Sequence, residues 1–448
     1  MEAQTARWVG ILAAVPFVMV LGNSMLVPVL PTLQARLDLS PLETSLILTA
    51  FSLPAGLTIP LAGALSDRVG RKAVMVPALV LYGLGGALAG LASWAWPERP
   101  WALLVGRAVQ GVGAGGTYQL AMALAGDIFQ SRERSKVLGL LEAANGLGKA
   151  VSPLVGGLAA AVLWFSPFFV YGVLALPVAA AIALGVPQPG RQATAADGQG
   201  RKGGGYGQQL REVFARRGWP LAVAYAAGLV TLLVLFGLLS RASDQMEQRW
   251  RMREAQRGLL VALPTSLMGL CAYLVGAGLQ RRPQAAPKAS AAGFTLLAAS
   301  VPAAILLAGE GGPLGPWSSG RGPGWLVGAL CLGGLGVGLV LPALNLAVTG
   351  AASRSQRGLV TALYGTVRFV GAATGPPLFA AAASGAARWG LAAGTVATGL
   401  ALAWGCGKVL RAAWGEPGRS RGEGAGGRGA GAEAGLASQH PEPDMPWV

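Results

Sequence analysis

The sequence predicts an all-α integral membrane protein, with 12 transmembrane helices in two six-helix, pseudo-repeated halves and both termini cytoplasmic. Three observations carry this. The 448 residues are 53% hydrophobic and only 12% charged, with a mean hydropathy of +0.52. Soluble chains carry roughly 25% charged residues, so lipid is the solvent for most of this one. Apolar runs recur twelve times, each near the roughly 20 residues that span hydrocarbon as a helix. The second six runs repeat features of the first.

The first run, 8–30, lacks a clear small-residue cleavage site and is too long for a signal peptide, so it reads as a span. Ser40-Pro41-Leu42-Glu43 is a capping box with proline at the first helical position, and it starts the second run, 43–65. Runs 73–95, 101–126, 137–163 and 167–187 complete a first half, 1–187. Residues 188–218, rich in Gly, Gln and Arg, read as a flexible cytoplasmic linker. The second half, 219–412, holds runs 219–240, 258–279, 290–309, 324–350, 357–384 and 388–412. A Gly-, Arg- and Glu-rich tail, 413–448, reads as disordered.

The halves align without a gap. Arg134 meets Arg357, Val137 meets Val360, Gly148 meets Gly371 and Pro153 meets Pro376. Gly63 to Arg68 recurs as Gly276 to Arg281, with Gln280 in place of the acid Asp67.

The formal charge of +16 does not point to nucleic acid, because its distribution is that of a membrane protein. Lysines and arginines concentrate in the linker, the tail and alternate loops, which the positive-inside rule makes cytoplasmic. Residues 241–257 depart from the rule: five arginines sit on the outer side, partly offset by Asp244, Glu247 and Glu254. There the seventh helix is expected to continue past the membrane. Cys271, Cys331 and Cys406 all fall in apolar runs, which excludes a disulfide framework or zinc site. The one histidine, His440, lies in the tail, and no phosphate-binding loop occurs. No enzyme, cofactor or metal site is expected.

Eight polar residues inside the runs bear on function. An arginine within a span faces a cavity or partner, or snorkels to the interface. Arg107 shares a face with Gln110. Glu142, Asn145 and Lys149 share another face. Glu142 is the clearest carboxylate within a run, and such a group can load and release a proton. The repeat puts Arg368 opposite Asn145, where it could pair with Glu142 across a central cavity. Alternatively, Glu142 lies shallow, beside Arg134 or Arg354. Asn345 and Tyr364 are polar handles for substrate or for a neighbouring helix.

Gly63-Ala-Leu-Ser-Asp-Arg-Val-Gly-Arg-Lys72 resembles the loop between helices 2 and 3 of the major facilitator superfamily, G-x-x-x-D-R-x-G-R-R/K. Gly63, Asp67, Arg68, Gly70, Arg71 and Lys72 fill the pattern. Arg107 to Gly113 resembles that superfamily's R-x-x-Q-G-x-G motif, whose arginine is implicated in proton coupling. Gly148 to Gly156 resembles G-x-x-x-G-P-x-x-G of its proton-driven exporters, with Ser152 in place of a glycine. Asn23 stands where some drug exporters carry an acid.

The resemblance implies a drug:proton antiporter of the 12-helix branch, a multi-pass protein of the cell (inner) membrane. It implies monomeric efflux of a small amphipathic or cationic molecule by rocking of two halves, with protons as the other partner. Glu142 would carry the proton, with Arg107 and Arg368 tuning it. Gln110, Asn145, Lys149, Asn345 and Tyr364 would line the substrate site. The 63–72 loop, Gly148 and Pro153 would gate, Arg68 and Arg71 pairing with acids such as Asp127; alternatively the loop only fixes topology. A dedicated metabolite or siderophore exporter, favoured by the cations Lys149 and Arg368, and a non-transporting sensor or scaffold are the alternatives.

Overall fold

The structure, a computed structural model, describes residues 3–129, 131–188, 206–307, 322–351, 357–382 and 385–413. Regular structure among them is helical throughout. The first set is α1 (Ala3–Ser24), α2 (Leu30–Arg36), α3 (Pro41–Val69), α4 (Arg71–Ala95), α5 (Pro100–Gly115), α6 (Tyr118–Ile128), α7 (Ser131–Val162) and α8 (Ser166–Gly185). The second is α9 (Tyr206–Trp250), α10 (Glu254–Arg281), α11 (Ala286–Leu307), α12 (Gly324–Gly350), α13 (Arg357–Ala381) and α14 (Gly385–Ala413).

Among the described residues, nine helical stretches are long and apolar enough to cross a membrane. They are α1 and α2 taken together, α3, α4, α8 to α12, and α14. The other three runs of the sequence became α5 with α6, α7, and α13. Each falls short for a physical reason. Gly116 and Thr117 split the first, and polar residues such as Glu142, Lys149 and Arg368 dilute the other two. Large apolar side chains such as Leu61, Val173, Leu184 and Trp404 are exposed, which in water would mark an interface and here marks a lipid-facing surface.

Several boundaries differ from the sequence reading. The first run continues through a 3-10 turn at Val27–Val29 into α2. Residues 206–218, read as flexible linker, are helical and continuous with α9. That helix does run on past 241, ending at Trp250, and Arg251 turns the chain at φ +50° before α10 begins. Arg354, His440, linker residues 189–205 and tail residues 414–448 lie outside the described residues. The capping box forms as expected: the Glu43 N–H donates to Ser40 Oγ at 3.2 Å, and the Ser40 N–H to Glu43 Oε2 at 2.8 Å.

One packing plan appears twice. α1 packs on α7, α3 and α4 on α5, and α4 on α8. In the second set α9 packs on α13, α10 and α11 on α12, and α11 on α14. The aligned glycines take matching roles. Gly148 of α7 lets α1 approach, since a Cβ there would lie 2.9 Å from the Phe17 carbonyl; Gly371 of α13 does the same for α9 at Leu229.

Two seams join the sets, α3 with α13 and α7 with α10. In the first, Thr49 Oγ1 donates to the Ala373 carbonyl at 2.6 Å and Thr366 Oγ1 to the Gly56 carbonyl at 2.8 Å. The second is a close backbone approach: Gly157 and Gly258 face each other, and a Cβ on Gly258 would lie 3.1 Å from the Gly157 Cα.

Candidate functional site

α5 is wedged between α3 and α4 by Gly111 and Gly113, where any side chain would strike the backbone of Phe51 and Tyr82. That close approach carries Arg107 into the interior, where it is 0% exposed. Its Nη2 donates to the Gly22 carbonyl at 3.0 Å and to Asn23 Oδ1 at 2.9 Å. Its Nη1 donates to Gln110 Oε1 at 2.5 Å and its Nε to the Ile47 carbonyl at 3.2 Å. The guanidinium carbon lies 4.6 Å from the Phe51 ring centroid. Asn23 in turn donates to Ser52. A buried cation is held here by neutral acceptors and a ring face.

This geometry answers one alternative. Arg107 does not snorkel, because its partners lie inward on α1 and α3. Glu142, the group it is expected to tune, lies on another helix and bonds Tyr118 of α6. Gln110, read as a substrate residue, is also 0% exposed and is bonded to Arg107.

A second cluster surrounds Glu142. The carboxylate is exposed on α7 and accepts a hydrogen bond from the Tyr118 hydroxyl, at the start of α6. Lys149 lies seven residues further along α7, about 10 Å. It is within electrostatic range of both Glu142 and Arg368 of α13, and Tyr118 is within range of the same two. No Glu142–Arg368 ion pair is present among the described residues; the Glu142 carboxylate bonds Tyr118 instead. Arg368 instead lies with its guanidinium carbon 5.5 Å from the Tyr364 ring centroid. Tyr364 is buried, stacks on Tyr225 at 6.0 Å, and its hydroxyl has no partner among the described residues. Asn145 is buried on α7. Asn345 is exposed on α12, whose main packing is with α10 and α11, and does not join the cluster.

The 63–72 segment, expected as a loop, is helical except at Gly70, ending α3 and starting α4, and it closes one end of the first set. Arg71 pairs with Asp67 at 2.5 Å and Asp127 at 3.5 Å, and donates to Ser66 at 2.6 Å. Lys72 reaches the Val186 carbonyl at 2.7 Å. Gly70 has φ +104°, a conformation that favours glycine, and the Gln188 side chain packs over it. Arg68 is exposed, and Gly63 faces open space. These contacts join α3, α4, α6 and the residues after α8. The Arg71–Asp127 pair agrees with the sequence reading. Gly148 packs on α1, and the Pro153 carbonyl faces Gly258.

At the far end of the bundle, Arg257 is 1% exposed. It pairs with Glu247, donates to Thr32 Oγ1 at 2.6 Å and lies 3.9 Å from Glu254, and Thr32 Oγ1 donates to Glu254 at 2.8 Å. One arginine of the anomalous 241–257 segment is therefore buried and ties α2 to α9 and α10. Sequence reasoning missed this network and Tyr118. The signal for Tyr118 was the Gly115-Gly116 pair just before it, a helix breaker that was read as part of one span.

Comparison with known proteins agrees with this architecture. The family model described as Major Facilitator Superfamily matches residues 12–376. The chain is 33% identical to the bacillibactin exporter of Bacillus subtilis (strain 168) over 378 residues, 84% of this chain and 89% of that one. A shorter match, 28% identical over 224 residues, relates it to multidrug resistance protein 1 of the same organism, covering 50% of this chain and 54% of that one. Among solved structures, a bacterial homolog of the human lysosomal transporter Spinster, inward-facing and unoccupied, aligns with a TM-score of 0.68 at 16% identity, over 92% of this chain and 94% of that one. The human organic anion transporter MFSD10 aligns with a TM-score of 0.59 at 22% identity, over 92% of this chain and all of that one. With its interior arginine, its paired seams and this match across most of its length, the chain belongs to the Major Facilitator Superfamily and is a multi-pass membrane transporter.

Proposed function

We propose that the chain is a proton-coupled exporter working by alternating access between two six-helix halves, with the 63–72 loop and both termini cytoplasmic and Glu142 as the proton-carrying group. One observation carries the proposal: an exposed carboxylate on α7, bonded by Tyr118, with Lys149 in electrostatic range of it and of Arg368. Ionised, Glu142 accepts hydrogen bonds; protonated, it loses most of that capacity. Proton and cargo therefore compete for one group, which is the elementary requirement of exchange.

The same cluster bears on the cargo. Two cations flank one carboxylate, so a cation is repelled and a molecule with acidic oxygens and hydroxyl donors is favoured. A dedicated, acidic metabolite of the siderophore type fits best, and the relative named bacillibactin exporter supports this choice over a broad cationic drug. Efflux of amphipathic cations is the second reading, drawn from the shorter match to a multidrug resistance protein.

Proteoliposomes with an internal pH dye and an imposed proton gradient test both. Anionic iron chelators are expected to drive proton flux, Glu142→Gln to abolish it, and Lys149→Gln or Arg368→Gln to raise the half-saturating chelator concentration about tenfold, the loss of one charge-assisted bond. A response to cationic dyes instead would overturn the cargo assignment. Unchanged flux in Glu142→Gln would overturn the carrier.

A further inference from the structure

The second set holds a pocket remote from the Glu142 cluster. It lies at the end away from the 63–72 segment, measures about 430 Å³ with its open mouth included, and is walled by α9, α11, α12, α13 and α14. Leu238, Arg241, Ala242 and Gln245 of α9 recur three and four residues apart, so one stripe of that helix faces the pocket. Arg388 lines it from α14 and Phe379 from α13. Two cations and an amide thus share one space, and no acid lines it among the described residues. Asp244, three residues on from Arg241, is within electrostatic range of it, and also of Glu247 and Arg257. One acid therefore stands near two pocket cations, and the balance stays positive.

We infer that this pocket binds the phosphate-bearing headgroup of an anionic phospholipid, in the leaflet remote from the 63–72 segment. Arg241 and Arg388 would clasp the phosphate oxygens, with the Gln245 amide donating beside them. An arginine at a membrane end ordinarily carries its head out to water. Arg241 and Arg388 are instead half-buried, and Gln245 is only 7% exposed. Each guanidinium presents five N–H donors in a planar fork that matches phosphate oxygens, and basic pockets between membrane helices suit such headgroups. Depth agrees with a lipid. The exposed Trp325 immediately precedes Leu326 of the lining, and Trp389 follows Arg388, whose guanidinium carbon lies 5.8 Å from its ring centroid. Tryptophans concentrate where headgroups sit. The rest of the lining is apolar, which a free inorganic anion cannot use and the first carbons of a lipid can. The site also gives a reason for Arg241 in the 241–257 segment, where the charge pattern departs from the positive-inside rule. Arg257 of that segment is met by Glu247 and Glu254, and Arg241 would be met by lipid.

The test needs neither cargo nor a proton gradient, so its outcome is independent of the transport reading. Native mass spectrometry of the purified full chain, stripped of lipid, follows binding of dioleoyl phosphatidylglycerol against dioleoyl phosphatidylcholine. The wild type is expected to prefer the anionic lipid by about tenfold, the worth of one charge-assisted bond. Arg241→Gln combined with Arg388→Gln should abolish that preference. Arg388→Lys keeps the charge and loses the fork, so it should retain part of the preference and separates the loss of a ligand from a failure to fold. Arg99→Gln, at an exposed cation of the same end, should change nothing. A preference intact in the double variant, or reduced as much by Arg99→Gln, overturns the site. Inorganic phosphate that stabilises the stripped wild type against heat as strongly as the lipid does, with the same dependence on both arginines, overturns the lipid as its source.

Discussion

Arg107 shows how a charge can sit in the interior of a membrane protein without an acid beside it. Four oxygens from Gly22, Asn23, Ile47 and Gln110 share its hydrogens, and Phe51 covers one face. A lysine has one small ammonium and cannot reach all four in a plane. Arg107→Lys is therefore expected to leave acceptors unpaired and to lower thermal stability in detergent by about 1–3 kcal/mol; stability equal to wild type would mean the network contributes nothing net. The arginine itself was legible in the sequence, because a charge in an apolar run stands out. Its partners were not. Asn23 is a short polar residue in another run, and two of the acceptors are backbone carbonyls, which no side-chain pattern reveals. Tyr118 escaped for a related reason: its meaning depends on a break that hydropathy reads straight through.

At the scale of elements, glycine placement decides which helices meet. The Gly157–Gly258 crossing lets α7 and α10 touch backbone to backbone. In Gly258→Val the new side chain meets the Pro153 carbonyl 2.5 Å from its Cβ, and backbone cannot yield as a side chain can. The expected cost is about 1–3 kcal/mol, seen as earlier thermal unfolding. Gly10→Ala, where a Cβ meets nothing within 4 Å, serves as the control and should change little. Helix positions followed well from apolar runs, since length and hydropathy are local properties. Helix ends followed less well. The extension of α9 back to Tyr206 crosses a polar, glycine-containing stretch whose composition argued for a linker, and nothing in hydropathy separates a charged helix turn from a charged loop.

For the whole molecule, the contacts between the two sets would set the balance of states in the proposed alternating access. At the end remote from the 63–72 loop, Thr32 is the link from α2 to the Arg257–Glu247–Glu254 group. In the proposed alternation, parting of the sets there would leave Arg257 with Glu247 and lose the bonding of one hydroxyl. Thr32→Val preserves shape and removes both bonds. It should shift the ratio of closed to open at this end by about fivefold, equivalent to roughly 1 kcal/mol. Spin-label distances between Leu42 and Leu259, both exposed at this end, report the shift, and an unchanged distribution would show that the link carries no conformational weight. The doubling of the plan was readable from the aligned Gly148–Gly371 and Pro153–Pro376 pairs. How firmly each seam holds was not, because that depends on which faces meet.

The seam between α3 and α13 has a consequence for inheritance. Its two acceptors, the carbonyls of Ala373 and Gly56, belong to the main chain and survive any codon change at those positions that the fold tolerates. Its donors are the hydroxyls of Thr49 and Thr366, each within one nucleotide substitution of serine, which keeps the hydroxyl. Genetic drift at this seam therefore has a neutral road between threonine and serine, while the geometry of the bond is stored in the backbone, where point mutation cannot erase it.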